Sequence, residues 1–268
     1  MCAVVVVAAG CGGSQSTDGR TRVVAAFYPL AYAAEEVGGA AVEVRNLTPP
    51  GAEPHDVELS PREVEAVRSA DVVLYLGGGF QPAVEQAVAG ASGIVVDVLP
   101  GLAVGDDPHV WLDPIRYASL AREVGRALGR PAASLQARAR ALDADFRTAL
   151  ARCERRELVT SHAAFGYLAR RYGLEQIALT GLSPDAEPNA QRIERLVRRV
   201  RASGATTVFA ERLVSQALAG TVAREAGARV AVLDPLEGLT DADAARGEDY
   251  FTLMRANLAA LREGLGCR

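Results

Sequence analysis

The chain contains three histidines, and each of them follows a short apolar segment. His55 lies in TPPGAEPHD after VEVRNL, His109 lies in GDDPHVWLDP after IVVDVL, and His162 directly ends ELVTS. Asp234 follows RVAVL in the same way. Three imidazoles and one carboxylate form a donor set that suits tetrahedral Zn²⁺, with bonds of about 2.0 to 2.2 Å. These residues therefore indicate a metal site, provided that the fold brings them together.

The spacing of these residues leaves alternatives open. A single histidine is more often a surface or hydrogen-bonded core residue than a metal ligand, and the separations here match no local zinc motif. The sequence also lacks the clustered Cys and His pairs of a zinc finger. A metal held by neutral imidazoles would lose affinity below about pH 6 to 6.5, where histidines become protonated.

The segments that would position these residues occur in two similar copies. FYPLAYAAEEVGG from Phe27 is echoed by SHAAFGYLARRYGL from Ser161, and helical and apolar segments follow in the same order. The predicted strands are RVVAAF, VEVRNL, DVVLYL and GIVVDVL in the first copy, and ELVTS, EQIALTGL, TTVFA and RVAVLD in the second. They are apolar on both faces, as buried parallel strands are, and they alternate with helical patterns.

This order of segments predicts an α/β fold of two similar lobes, each a four-stranded, mainly parallel sheet flanked by helices. Residues 131–156 are rich in Ala, Leu and Arg, and they predict one long rigid helix that joins the lobes. The predicted segments are 1–21 (signal and flexible tether), 22–130 (first lobe), 131–156 (helix) and 157–268 (second lobe). Because ligands bind at the carboxyl ends of parallel strands, the metal site is expected in the cleft between the lobes.

The amino terminus and the cysteines predict export. Residues 3–9 form an apolar run too short to span a bilayer, and AAGC resembles a lipobox in which Cys11 would carry a lipid. A weakly structured tail with an incidental cysteine is the alternative. If Cys11 is the anchor and Cys2 is removed with the signal, Cys153 and Cys267 remain as an even pair. They predict a disulfide, with two free thiols as the alternative.

The charge balance argues against a nucleic-acid partner. The 29 basic and 33 acidic side chains give a net charge of −4, so no basic surface favours a phosphate backbone. No long apolar run follows Cys11, so contact with a membrane is expected only through an N-terminal lipid. We expect a monomer outside the cytoplasm, either lipid-anchored on the outer face of the cell membrane or periplasmic.

Five ordered motifs resemble those of the metal-binding solute-binding proteins of zinc and manganese ABC transporters, a family that includes streptococcal adhesin-type lipoproteins. The motifs are PHDVELSP, PHVWLDP, TSHAAFGYLARRYGL, VFAE and LDPL, and the resemblance runs from about Arg22 to the C terminus. It implies two lobes joined by a rigid helix, with the metal between them. The ligand histidines of the family fall on His55, His109 and His162. Asp234 of LDPL matches the carboxylate ligand.

The resemblance also implies a metal and supporting residues. Relatives that prefer manganese often have Glu at the position of His162, so the histidine here indicates Zn²⁺, with Mn²⁺ as the alternative. Glu211 of VFAE matches a position near the site and is expected to orient a ligand histidine, unless it only bonds backbone at a helix start. Trp111 is expected to pack beside the site rather than contact the metal.

The implied function is high-affinity zinc binding for an ABC importer. The expected partners are a permease and its ATPase, because the chain lacks a Walker-type phosphate loop. No histidine is left over for a metal-gathering loop, so capture would use the four-ligand site alone or a partner metallochaperone. A metal-stabilised surface adhesin is an alternative. A zinc hydrolase would need an open coordination position, which Asp234 would close, and a base such as Glu53 or Glu211.

Overall fold

The computed structural model describes residues 19–184 and 189–268. The predicted lipid anchor, Cys11, and most of the predicted signal and tether lie outside these residues. The first lobe contains a four-stranded sheet. Its strands are β1 (Thr21–Ala25), β2 (Val42–Asn46), β3 (Val72–Tyr75) and β4 (Ile94–Asp97).

The second lobe repeats this sheet. Its strands are β5 (Glu157–Thr160), β6 (Glu175–Ala178), β7 (Thr207–Ala210) and β8 (Arg229–Val232). All neighbouring strands are parallel, and the orders are β2-β1-β3-β4 and β6-β5-β7-β8. Each sheet thus places its four strands in the same relative order, and the predicted pair of similar α/β lobes is confirmed. The lobe boundaries at 22–130 and 157–268 stay predictions.

Helices alternate with these strands. The described helices are α1 (Tyr28–Gly38), α2 (Pro61–Ser69), α3 (Pro82–Ala87), α4 (Pro114–Ala127), α5 (Ala133–Ala149), α6 (Gly166–Tyr172), α7 (Ala190–Ser203), α8 (Ala217–Ala226), α9 (Asp241–Ala245) and α10 (Tyr250–Leu265). The first four of them carry proline in the first turn, where its missing N–H has no helical partner to lose. Among the helices described, none has both the length and the apolar character needed to cross a bilayer.

The connecting helix is shorter than the sequence predicts. Helix α5 has 17 residues instead of the 26 predicted from residues 131–156, so it is about 25 Å long. The helix ends at Ala149, and the residues that follow it turn back toward this end. The guanidinium of Arg156 donates to the carbonyls of Leu150 and Ala151, each at 3.0 Å, and satisfies acceptors that the helix leaves open.

The last helix adds a second connection between the lobes. Tyr250, the first residue of α10, stacks on Tyr117 of α4 with ring centroids 3.9 Å apart, and its hydroxyl donates to the carbonyl of Trp111. Asp249 pairs with Arg138 of α5 at 3.1 Å. One buried apolar cluster runs through the first lobe, α5 and α10. Any large hinge motion would have to open this core, so we expect the lobes to move little.

A disulfide joins Cys153, just after α5, to Cys267, just after α10, across a separation of 114 residues. Replacing both cysteines with serine is expected to lower the free energy of unfolding by about 2 to 5 kcal/mol, because the unfolded chain loses a long-range constraint. Denaturant titration with and without reductant measures this effect. Reductant should destabilise the wild type and leave the double variant unchanged. Equal midpoints for the oxidised and reduced wild type would contradict the bridge.

Candidate metal site

The three histidines converge at the carboxyl ends of strands from both sheets. His55 follows β2, His109 follows β4 and His162 follows β5. The fourth member of the cluster is Glu237, in the loop of residues 233–240 after β8. One ligand atom from each of the four side chains lies within 4.8 Å of the other three. Each lobe therefore contributes two donors to one cluster.

The distances within the cluster fit a tetrahedral metal ion. Oε1 of Glu237 lies 3.3 Å from Nε2 of His109 and 3.4 Å from Nε2 of His162. It lies 3.6 Å from Nε2 of His55, and the two buried imidazole Nε2 atoms are 3.3 Å apart. Donors bound at about 2.0 to 2.1 Å in a tetrahedron are separated by about 3.3 to 3.4 Å. Four of the six distances between these atoms are near this spacing, and all six are within 4.8 Å.

The donor side chains of the cluster are buried, and the polar atoms of two of them lack hydrogen-bond partners in the described part of the chain. The side chains of His109, His162 and Glu237 have no exposed surface, and that of His55 is 10% exposed. Both carboxylate oxygens of Glu237 and Nε2 of His55 lack a hydrogen-bond partner among the described residues. Burying such groups without partners is costly, and a divalent cation between them would offset that cost. The donor set therefore fits a metal ion.

Carboxylates set the protonation of the two buried histidines. Burial lowers the pKa of each imidazole, but nearby carboxylates outweigh it. Asp107 at His109 and Glu211 at His162 form hydrogen bonds, and the negative charge of Glu237 acts on both. The pKa of His109 is raised above its ordinary value, and that of His162 is raised to about 10. Burial would raise the pKa of Glu237, but its contacts with the histidines hold that pKa well below its ordinary value.

A carboxylate also orients each buried histidine. Oδ1 of Asp107 accepts from the backbone N–H of His109 at 3.1 Å and lies 2.9 Å from its Nδ1. Oε1 of Glu211 accepts from the backbone N–H of His162 at 3.2 Å and lies 2.7 Å from its Nδ1. A carboxylate at Nδ1 favours the proton there and leaves Nε2 free to bind a metal. Glu211 thus lies where the family resemblance places it.

Asp234 does not join the cluster, so its prediction as a ligand is corrected. Its Oδ2 accepts from Nε of Arg212 at 2.7 Å, and its Oδ1 accepts from the backbone N–H of Leu236 at 2.7 Å. Leu236 has a left-handed backbone with φ of 55°, an unusual conformation for leucine. The chain turns here, and Glu237, the next residue, supplies the carboxylate of the cluster.

The sequence analysis does not identify Glu237 or Asp107 as site residues, although the sequence contains a signal for each. DPLEGL contains Asp234 and Glu237, and attention to the end of the strand selects only the first of them. Asp107 precedes His109 by two residues, as Glu53 precedes His55. Oε1 of Glu53 also accepts from a backbone N–H, that of His55, at 3.3 Å. This repeated spacing of an acid two residues before PH-type ligands is the signal for Asp107.

Aromatic rings close the side of the site formed by the first lobe. Phe80 packs edge-on against His55 with ring centroids 4.6 Å apart, and the Trp111 ring lies 5.1 Å from that of His109. Nε1 of Trp111 donates to the carbonyl of Pro235 at 2.7 Å. Trp111 therefore packs beside the cluster, as the sequence predicts, and also ties the first lobe to the loop that carries Glu237.

The contact between Glu211 and His162 predicts a partial loss of zinc affinity when the charge of Glu211 is removed. Glu211→Gln keeps the shape of the side chain but removes the charge that orients His162 and makes it more basic. The affinity for Zn²⁺ is expected to fall about 10- to 100-fold. Competition with a chromophoric chelator measures the change, and Glu225→Gln on the exposed face of α8 is the matched control. An unchanged affinity in Glu211→Gln would show that its contact with His162 has no effect on the metal.

Fold and site together define a two-lobed α/β protein with a candidate metal site in the cleft between its lobes. Residues 23–264 match the family described as zinc-uptake complex component A, periplasmic (ZnuA). The chain belongs to this family, and the resemblance of its five motifs is confirmed.

Curated relatives support the same assignment. The zinc-binding lipoprotein AdcA of Streptococcus pneumoniae is 34% identical over 298 aligned positions, which cover 98% of this chain and 59% of that protein. The chain thus spans less than two thirds of the length of this relative. The high-affinity zinc uptake system protein ZnuA of Bacillus subtilis is 28% identical over 288 positions, with 95% of this chain and 90% of that protein covered.

Solved structures share the fold. The Zn(II)-bound ZnuA-like domain of S. pneumoniae AdcA superposes with a TM-score of 0.80 at 32% identity, covering 92% of this chain and 99% of that one. The laminin-binding protein of Streptococcus agalactiae, described as bifunctional with adhesin and metal-transporting activity, gives a TM-score of 0.83 at 27% identity, covering 91% and 99%.

Proposed function

We propose that the chain binds Zn²⁺ outside the cytoplasm and delivers it to an ABC importer made of a permease and an ATPase. The observation that carries this proposal is the convergence of three imidazoles and one carboxylate in the interlobe cleft, with one ligand atom of each within 4.8 Å of the others. The names of the relatives, a zinc-binding lipoprotein and a high-affinity zinc uptake protein, support it.

The donor set favours zinc over manganese. Imidazole suits Zn²⁺, whereas Mn²⁺ prefers oxygen donors and a larger coordination number. Four protein donors complete a tetrahedron and leave no position for a reactive water, which a hydrolytic zinc site keeps open. We therefore propose binding and release, with zinc as cargo, rather than catalysis.

Loading would begin at His55, because it is the one donor with exposed surface. The buried donors His109, His162 and Glu237 then complete the site and lose the protons that the metal displaces. The shared core and the contacts of α10 hold the lobes together, so release to the permease would depend on movement of site loops.

We propose that an N-terminal lipid at Cys11 keeps the protein at the membrane. We also propose that either the four donors alone or a metallochaperone capture the metal.

Metal analysis and calorimetric titration of the purified chain test the proposal. We expect one Zn²⁺ per chain and a weaker affinity for Mn²⁺ under matched conditions. His162→Ala should lose most of the zinc affinity while its circular dichroism stays that of the wild type. Tighter binding of Mn²⁺ would overturn the choice of metal and leave the site standing. Absence of zinc binding by the wild type would overturn the function.

A further inference from the structure

Strand β7 supplies none of the four donors, yet the first residue after it contacts His162, and the second contacts both sides of the loop that carries Glu237. Glu211 contacts His162 directly. The next residue, Arg212, lies outside the cluster, and its guanidinium pairs with two carboxylates. Its Nε is 2.7 Å from Oδ2 of Asp234, and its Nη1 is 2.7 Å from Oδ1 of Asp243. Asp234 precedes the cluster glutamate in the chain and Asp243 follows it, so one side chain ties both ends of that loop.

Both carboxylates that Arg212 contacts are fixed in the fold. The backbone N–H of Asp234 donates to Oδ1 of Asn257 at 2.8 Å, and the Nδ2 of Asn257 donates to the Asp234 carbonyl at 2.6 Å. Asp243 accepts from the Thr240 hydroxyl at 2.6 Å and forms the capping box of α9. Both carboxylates are nearly buried, whereas Arg212 is 27% exposed. The guanidinium is thus the link between two rigid anchor points.

Glu237 depends on this link because the close contacts of its carboxylate are with the three ligand histidines themselves. Neither of its carboxylate oxygens has a hydrogen-bond partner among the described residues. The preceding residue, Leu236, is the one non-glycine residue of the described chain with positive φ, and its N–H is held by Oδ1 of Asp234. A backbone in this conformation persists only where the surroundings fix it. The path of support runs from Arg212 through Asp234 and Leu236 to Glu237.

We propose that Arg212 is a positioning residue for the metal site, which holds the loop of residues 233–240 so that Glu237 reaches the three histidines. The proposal rests on the proposed function, since it assigns the support of one zinc donor. His109 and His162 each keep a carboxylate of their own. Loss of Arg212 should therefore remove the carboxylate donor and leave the histidines in place.

Arg212→Met tests this assignment, because methionine keeps an extended side chain without the charge. We expect the zinc affinity to fall about 10- to 100-fold, as for other residues that support ligands. The same substitution in a Glu237→Gln background should cost less than about threefold, because the donor that Arg212 positions is already impaired there. The visible spectrum of Co²⁺-loaded Arg212→Met should resemble that of Glu237→Gln rather than the wild type. Arg212→Lys, which keeps the charge, should fall between wild type and Arg212→Met.

Arg246→Met is the matched control, because Arg246 also pairs with Asp243, at 2.5 Å, but has no bond to Asp234 in the described structure. It should keep the wild-type affinity and spectrum. Equal losses from Arg212→Met in the wild-type and Glu237→Gln backgrounds, or an unaltered Co²⁺ spectrum, would overturn the proposal. If Arg212→Met does not fold, Arg212→Lys decides between these outcomes. Failure of the wild type to bind zinc would instead contradict the proposed function.

Discussion

Glu237→Gln is expected to lower the affinity for Zn²⁺ by about 100-fold or more. Zinc bound by four ligands in small proteins has a free energy of roughly 10 to 16 kcal/mol, so one ligand accounts for about 3 kcal/mol, or about 100-fold. A neutral amide oxygen is a poorer ligand than a carboxylate, and its loss of charge leaves Zn²⁺ with no anionic donor in the cluster. Chelator competition at pH 7.5 measures the change.

Glu53→Gln is the matched control for this variant. Glu53 is a half-buried glutamate near the cluster, and its partial burial together with the negative charge of Glu237 raises its pKa to about 8. Glu53 is therefore mostly protonated at pH 7, and glutamine can still accept the hydrogen bond from the backbone of His55. We expect its zinc affinity to stay within a few-fold of wild type. Comparable losses in both variants would contradict the assignment of Glu237 as the donor.

The sequence predicts the convergence of the three histidines because their positions depend on local rules. Strands that are apolar on both faces indicate parallel sheets, and the carboxyl ends of such strands meet at one edge. His162 follows its strand within two residues, and His55 and His109 lie in the loops that leave this edge. Each of these segments contains a single histidine, so the choice of imidazole donor needs no long-range information.

Glu237 could not be predicted in this way because its loop carries two carboxylates. The choice between Asp234 and Glu237 depends on the left-handed turn at Leu236 and on the ion pair between Asp234 and Arg212. Arg212 comes from a different strand, so the sequence near the loop does not contain this contact. Asp234 is predicted because it directly follows its strand. Its ion pair with Arg212 instead holds its carboxylate outside the cluster.

Contacts in the folded structure also determine where α5 ends and where α10 lies. Composition favours helix throughout residues 131–156, but α5 ends at Ala149, where Arg156 bonds the open carbonyls and Cys153 is bridged to the C terminus. The position of α10 likewise depends on a contact with residues that are distant in the chain. Its stacking of Tyr250 on Tyr117 joins it to the first lobe, and that contact is visible only in the folded structure.

Zinc affinity is expected to fall steeply with decreasing pH, beginning above neutral pH. Isolated histidines would protonate below about pH 6.5. In the metal-free cluster, however, the neighbouring carboxylates outweigh burial, so the pKa of His109 is raised and that of His162 is raised to about 10. Zinc must then displace protons at pH 7. Displacing the proton of His162 makes the affinity change by about 10-fold per pH unit, and protons displaced from His109 make the slope steeper. Chelator competition between pH 6 and 8.5 gives this slope, and a flat profile above pH 6.5 would contradict it.

The stability of the metal-free protein should have the opposite dependence on pH. The pKa of His162 is higher in the folded state, about 10, than its ordinary value in the unfolded chain. Its proton therefore stabilises the fold fully below about pH 6.5, and this contribution is lost as the pH rises through about 10. Zinc stabilises the loaded protein more as its affinity rises with pH.

The melting temperatures of the zinc-loaded and metal-free forms should consequently diverge as the pH increases from 6 to 9. Calorimetric scans of the protein in excess zinc and in chelator measure both curves. Glu237→Gln removes a carboxylate that faces Nε2 of both His109 and His162, so its metal-free form should lose stability less steeply over this range. Parallel curves for the loaded and metal-free wild type would show that zinc does not compete with these protons.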